Sequence, residues 1–178
     1  MSRITTRPDL APGLSWDEVT LEFPTASMTV VVVGDDEALA GLQFGTAEEC
    51  GPWLPATQRD PAPIAKAIDQ LRAYAAGDLI RFDLPLRLRG TAFQNQVWKA
   101  LLDIPYGRTV TYGQIASVLG RPGSSRAVGA AVGSNPIGIV VPCHRVIGAD
   151  GSLTGFGGGL DNKVTLLARE GVTAMYPG

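Results

Sequence analysis

One histidine and two cysteines are all that this 178-residue chain holds of the side chains that most often carry metals or thiol chemistry. Cys50 and Cys143 are too few and too far apart for a disulfide framework, which suits a reducing compartment, although a single Cys50–Cys143 bridge stays open. With one imidazole between them, they cannot complete an ordinary structural zinc site unless carboxylates join in. Long apolar runs are missing as well. No segment approaches about eighteen uninterrupted apolar residues, and the start, "MSRITTRPDLAPG", has no apolar stretch of about seven behind its arginines. These absences predict a soluble, cytoplasmic protein with no membrane partner.

What is present suffices for a core. An apolar fraction of 45% supports one ordinary domain or two small ones. The net charge is only −2 but unevenly placed: residues 1–88 carry 7 Lys/Arg against 13 Asp/Glu, and residues 89–178 carry 8 against 4. The net +4 half is the one that holds Cys143 and His144, which points to a polyanionic partner for that half.

In "MTVVVVGDDEALAGLQF", β-branched residues cluster and break at Gly34–Glu37, which predicts an antiparallel hairpin. The stretch before it carries no clear pattern. From Pro61 to Gly77, Ile64, Ile68, Leu71 and Ala75 recur at helical spacing, with Pro63 suited to a first turn and Gly77 to a C-cap. "LIRFDLPLRL" alternates like one more strand. Residues 1–88 therefore read as a small α/β supporting module, with "GPWLPATQRDPAP" as an internal loop.

Residues 89–178 read as mostly helical. Thr91 and Gln94 form a capping box for a helix that buries Phe93, Val97, Leu101 and Leu102 and stops at Pro105. Two short helices, Gly113–Leu119 and Ser125–Val132, flank a Gly/Pro/Ser turn and predict a helix-turn-helix. The second is nearly bald, since Ala127, Gly129, Ala130, Ala131 and Gly133 leave Arg126 as its one long polar side chain. A major-groove reader would carry several. Either the helix packs tightly on a neighbour, or it lets backbone approach a narrow surface such as the minor groove. The six glycines of "GADGSLTGFGGGLDNK" make a connector or a wall whose backbone touches a ligand. "DNKVTLLAREG" closes as a helix capped by Asp161, with Leu166 and Leu167 inward.

Between these helices stands "IVVPCHRVIG". Its apolar run predicts a buried strand that ends at Pro142 and presents Cys143, His144 and Arg145. A thiol is a good nucleophile only as thiolate, so it needs a base or a positive charge nearby, and His144 and Arg145 supply both kinds of group. Neighbours in a regular strand face opposite ways, so His144 reaches the sulfur only across a backbone kink, which Pro142 favours, or through a water. Glu170 is a candidate for a carboxylate behind the imidazole, by the logic of a hydrolase triad. The competing reading is that Cys143 is merely buried.

Together with "GTAFQNQVWKALLDIPYGRTVTYGQIA" before it and "LTGFGGGLDNKVTLLAREG" after it, this stretch resembles the O6-alkylguanine-DNA alkyltransferases, or methylated-DNA–protein-cysteine methyltransferases. The likeness is dense over residues 80–171 and present only in outline before them. It implies an α+β protein: a ribonuclease-H-like N-terminal module over 1–88, then a C-terminal DNA-binding and alkyl-acceptor domain over 89–178 with a winged-helix/helix-turn-helix motif. It also implies direct-reversal repair, in which O6-alkylguanine is flipped from double-stranded DNA through the minor groove and its alkyl group passes irreversibly to Cys143 in one turnover.

By the same resemblance His144 acts through a water as base, Glu170 orients it, Asn135 braces the turn before the active-site strand, and Tyr112 donates to guanine N3. Arg126 would enter the base stack from a helix whose Ala127, Gly129 and Ala130 permit close approach. The carbonyls of Cys143 and Val146 would accept from the guanine amino group, and the Phe156–Gly157 backbone would face O6. The chain departs from the family at Phe156, where many members carry tyrosine, and at Gly157, where some carry serine; any hydroxyl contact there is lost. No cofactor, metal or obligate protein partner is expected, only a monomer able to cluster on DNA, and repair rather than transcriptional control. Two other classes stand beside this reading. A non-catalytic alkylguanine-binding lesion sensor would lack the acceptor cysteine, and a multiple-turnover thiol hydrolase or redox protein would have no use for a bald helix with a lone arginine.

Overall fold

The computed structural model describes residues 13–51, 54 and 59–173, so the readings of the N-terminal twelve residues and of part of the Pro-rich loop lie outside it. The fold is mixed α+β, and its contacts divide it into two units. One holds the described residues up to Arg89 together with Pro136–Gly138; the other holds Gly90–Asn135 and the described residues from Ile139 on.

In the first unit β1 (Ser15–Phe23), β2 (Ala26–Gly34) and β3 (Leu39–Phe44) form an antiparallel sheet in that order. β1 occupies the stretch that carried no clear pattern. Its alternation is confined to the last half, where Val19, Leu21 and Phe23 are buried and Thr20 and Glu22 exposed, too short a signal to stand out. Val30–Val33 are all buried, so both faces of β2 are covered. Val31 and Val33 pack with Leu14, Ala40 and Cys50. The expected hairpin turn is closed by Asp35, whose carboxylate accepts the N–H groups of Glu37 and Ala38 at 3.1 and 2.9 Å. α1 (Ala65–Ala76) buries Ile68, Leu71 and Ala75 and ends at Gly77, whose φ of 98° puts it in the left-handed region that glycine adopts without strain.

"LIRFDLPLRL" does not form the expected strand. It makes one bridge, Leu39 to Leu86, in which Leu39 N–H reaches the Pro85 carbonyl and Arg87 N–H returns to the Leu39 carbonyl. Pro85 has no N–H with which to extend that ladder.

In the second unit α2 (Ala92–Leu102) starts at the expected capping box: Thr91 Oγ1 accepts the Gln94 N–H, and Gln94 Oε1 accepts the Thr91 N–H. Its buried face is Val97, Trp98 and Leu101. Leu102, expected inside, is 43% exposed, and Phe93 is half-buried under the Arg121 guanidinium. Trp98 takes the inner place because its indole N–H finds the Ala131 carbonyl at 2.8 Å. β4 (Val110–Thr111) runs parallel to β5 (Val146–Ile147), followed by α3 (Tyr112–Val118), α4 (Ser125–Gly133) and α5 (Leu160–Arg169). α5 is entered from Gly159 rather than capped by Asp161, because Gly159 takes a φ of 87°; Asp161 sits in the first turn, where its charge favours the helix dipole. Among the described residues no helix is long and apolar enough to cross a membrane.

Candidate functional site

The run before Cys143 is a chain of turns, not the expected strand. Ile139, β-branched and buried, is held at a φ of 65°, a conformation that costs about 1–3 kcal/mol for such a residue. Pro142, at φ −80° and ψ 64°, then centres an inverse γ-turn closed by the Cys143 N–H on the Val141 carbonyl at 2.8 Å. The ring of Pro142 presets that φ, and its missing N–H rules out strand pairing there. Cys143–Arg145 form one 3-10 turn, and the Val146 N–H returns to the Cys143 carbonyl. Side chains in such a turn diverge by about 120° rather than 180°. Cys143, His144 and Arg145 therefore leave the chain in three directions, all of them buried.

His144 and Glu170, 26 residues apart, meet: Nε2 lies 2.8 Å from the Glu170 Oε1 in a fully buried pair. Arg145 clamps the same carboxylate, with Nε on Oε2 and Nη2 on Oε1, both at 2.9 Å, and Nη1 donates to the Ile104 carbonyl. The Gly107 N–H adds a bond to Oε2. Burial works against ionisation of Glu170, but the hydrogen bonds from His144 and Arg145 outweigh it and hold the carboxyl at about 2. An ionised carboxylate only accepts, so Nε2 carries the imidazole proton and Nδ1 is left with its lone pair. Burial pushes His144 below its ordinary value despite Glu170, which keeps the ring neutral. Nδ1 is buried and makes no hydrogen bond among the described residues. The His144 imidazole therefore has one basic nitrogen free and makes no direct hydrogen bond to Cys143; it is the His144 backbone N–H that reaches the sulfur.

Cys143 is a free thiol pushed up by burial, with a hydrogen bond from the Asn135 side chain and the charge of Lys163 pulling the other way. Asn135 also donates from Nδ2 to the Val141 carbonyl at 2.8 Å, tying the end of α4 to the γ-turn. Cys50 is free as well, so the bridge that the sequence left open is not formed; burial first, and then Glu49 and Glu18, push its thiol up to about 11. Tyr112 opens α3 directly after β4, whose pairing with β5 sets it near this turn. Its hydroxyl donates to the Thr154 carbonyl at 3.2 Å. Phe156 is half-buried and Gly157 exposed, and a Cβ at Gly157 would lie 3.9 Å from the Gly133 carbonyl at the end of α4.

On α4, Val128, Ala131 and Val132 face the interior. The exposed side is Arg126, Ala127, Ala130 and Gly133, one long cation on an otherwise flat surface. Gly129 lies under the Tyr112 ring, 3.8 Å from where its Cβ would be. The small residues thus serve both openings left by the sequence: close packing within, and a smooth face without.

Residues 92–172 match the family model of the 6-O-methylguanine DNA methyltransferase DNA-binding domain. The methylated-DNA–protein-cysteine methyltransferase of Mycolicibacterium paratuberculosis is 51% identical over 151 residues, 85% of this chain and 90% of that protein. The chain belongs to the methylated-DNA–protein-cysteine methyltransferases. Within that family, the crystal structure of Mycobacterium tuberculosis O6-methylguanine methyltransferase superposes with a TM-score of 0.72 at 47% identity, over 87% of this chain and 92% of that one. The Mycobacterium tuberculosis protein in complex with DNA gives 0.71 at 48% identity, over 85% and 90%.

One methyltransferase residue here, Lys163, was not singled out from the sequence, and a second, Arg145, takes another role than the one expected. Lys163 is fully buried in α5, its ammonium donating to the Val146 carbonyl at 2.6 Å and the Thr154 carbonyl at 3.2 Å. Arg145 is the clamp on Glu170 rather than a partner of the thiol. A signal for Lys163 existed: with Leu166, Leu167 and Glu170 it lies at i, i+3, i+4 and i+7, on the inward stripe of α5.

Proposed function

We propose that this chain repairs O6-alkylguanine in double-stranded DNA by moving the alkyl group to Cys143, once per molecule. The observation that carries this reading is the buried His144–Glu170 pair, which leaves a neutral imidazole with Nδ1 as its basic nitrogen on the residue adjacent to the cysteine. His144 takes the Cys143 proton through a water. The thiolate attacks the alkyl carbon, a carbon–sulfur bond forms, the bond to O6 breaks, and guanine leaves with that electron pair. Tyr112 donates to guanine N3 and offsets the developing charge. The thioether has no easy hydrolytic exit, so turnover stops at one.

The base is reached by flipping, at an unstacking cost of roughly a few kcal/mol. α3 and α4 act as the helix-turn-helix of a winged-helix domain over 89–178, and Arg126, Ala127, Gly129 and Ala130 lie in the minor groove with the arginine in the vacated stack. The Cys143 and Val146 carbonyls accept from the guanine amino group, and Phe156–Gly157 border O6. Residues 1–88 support this domain; three antiparallel strands followed by α1 favour the ribonuclease-H-like reading. The protein works as a cytoplasmic monomer without cofactor or metal.

The test is mass spectrometry after mixing equimolar protein with a duplex that holds one O6-methylguanine. One methyl group on the Cys143 peptide, regenerated guanine and no second turnover are expected, and Cys143→Ser should bind the lesion without transfer. Tight retention of the lesion with unmodified Cys143 would make the protein a lesion sensor instead, and repeated turnover would make it a thiol hydrolase.

A further inference from the structure

A lysine with no exposed surface is costly unless it has partners, because its ammonium loses its water. Lys163 has two, and both belong to the site: the Val146 carbonyl, just after the acceptor turn, and the Thr154 carbonyl, in the glycine-rich loop. The Thr154 carbonyl also accepts from Tyr112. One ammonium and one carbonyl thus join the turn, the loop and the tyrosine, although these are far apart in sequence. The apolar stripe of α5 would accept a leucine or methionine at this position, and either would leave both carbonyls without their donor.

We infer that Lys163 is a positioning residue: its ammonium pins the Val146 and Thr154 carbonyls to set the width of the alkylguanine pocket, and supplies the positive charge that favours the Cys143 thiolate. The inference rests on the alkyl-transfer reading above. A carbonyl has two lone pairs, so Val146 can serve Lys163 and a guanine amino group together. The groups around the sulfur divide by effect. The Asn135 amide, the charge of Lys163 and the backbone N–H groups of Cys143 and His144 favour the thiolate, whereas Tyr112 is a neutral phenol. His144 is neutral, and the charges of Arg145 and Glu170 are spent on one another. Among the described residues, Lys163 is thus the cation left to act on Cys143. Desolvation brings its own value down to about 8, so it remains mostly protonated at neutral pH.

Two variants separate the hydrogen bonds from the charge. Lys163→Met removes both, and Lys163→Gln keeps a donor without charge. Single-turnover methyl transfer from an O6-methylguanine duplex reads pocket and rate, and capture of Cys143 by iodoacetamide across pH reads the thiolate. Lys163→Met should raise the half-saturating duplex concentration and cut the saturating rate, each about tenfold, and move the capture midpoint up by about one unit, the scale of a lost neighbouring charge. Lys163→Gln should recover the half-saturation but not the midpoint. An unmoved midpoint in Lys163→Met overturns the role of the charge, and an unmoved half-saturation overturns the pin. If Lys163→Met does not fold, Lys163→Gln decides the charge by its midpoint and the pin by its half-saturation, which the proposal requires to stay near wild type. Failure of the wild type to methylate Cys143 would overturn the repair reading alone, since the iodoacetamide profile still judges Lys163.

Discussion

Both oxygens of Glu170 are doubly occupied, by His144 and Arg145 on one and by Arg145 and Gly107 on the other. That saturation gives the residue a pH signature. His144 is lowered in the fold and is the chain's one histidine, so below about 6.5 the unfolded chain takes a proton that the native chain refuses, and stability falls with pH. Glu170 is lowered from 4.5 to about 2, so its contribution, on the order of 3 kcal/mol, is present above 4.5 and lost as pH falls toward 2. Urea midpoints measured from pH 8 to pH 2 should therefore decline in two stages. In Glu170→Gln the lower stage should shrink to what the other lowered carboxyls, Asp35 and Asp150, contribute, and its transfer rate at neutral pH should drop at least about hundredfold, because the imidazole loses the partner that sets its tautomer. A single-stage decline in wild type would contradict the assignment.

Helices α3 and α4 make separable demands. Thr111 caps α3 through a second capping box with Gln114, and the first residue it launches is Tyr112. Thr111→Ala should cost about 1 kcal/mol in urea unfolding and slow transfer as well, because the start of α3 aims Tyr112. On α4 the exposed, flat side can be charged without touching the core. Ala130→Glu should leave the melting temperature unchanged yet weaken duplex binding at least about tenfold by electrophoretic or fluorescence titration, through repulsion of phosphate and loss of close approach. Arg126→Ala should slow transfer from duplex far more than from free O6-methylguanine base, since in the proposed function only the duplex needs a base flipped. Equal slowing would remove Arg126 from the flipping step.

At the scale of the whole molecule, charge is divided as the chain is. The acidic residues concentrate before Arg89, and the exposed cations of the second unit include Lys99, Arg108, Arg121 and Arg126. Binding that depends on a few such cations should weaken about tenfold to a hundredfold between about 50 and 200 mM salt, with a log–log slope of about −0.9 per phosphate contacted. A salt-independent affinity would mean that the cations of this unit do not meet the backbone. The division is not contiguous: Pro136–Gly138 group with the first unit, where Pro136 and Gly138 bond to Leu42, so neither half of the sequence is a complete unit.

By itself, the sequence determined what depends on near neighbours. The β2–β3 hairpin, α1 with its terminal Gly77, the Thr91–Gln94 capping box and the bald face of α4 follow from propensity, spacing and turn chemistry within a few residues. The adjacency of Cys143 and His144 is likewise written in the chain. Tertiary structure alone decided the rest. It made Cys143 part of a 3-10 turn instead of a strand end, because Ile139 is held at positive φ and Pro142 closes a γ-turn, whereas an apolar run looks the same in either setting. It also brought Glu170 to His144 and buried Lys163 against Val146 and Thr154. Those contacts join residues between 9 and 26 positions apart, and no local pattern encodes a distance set by how separate elements pack.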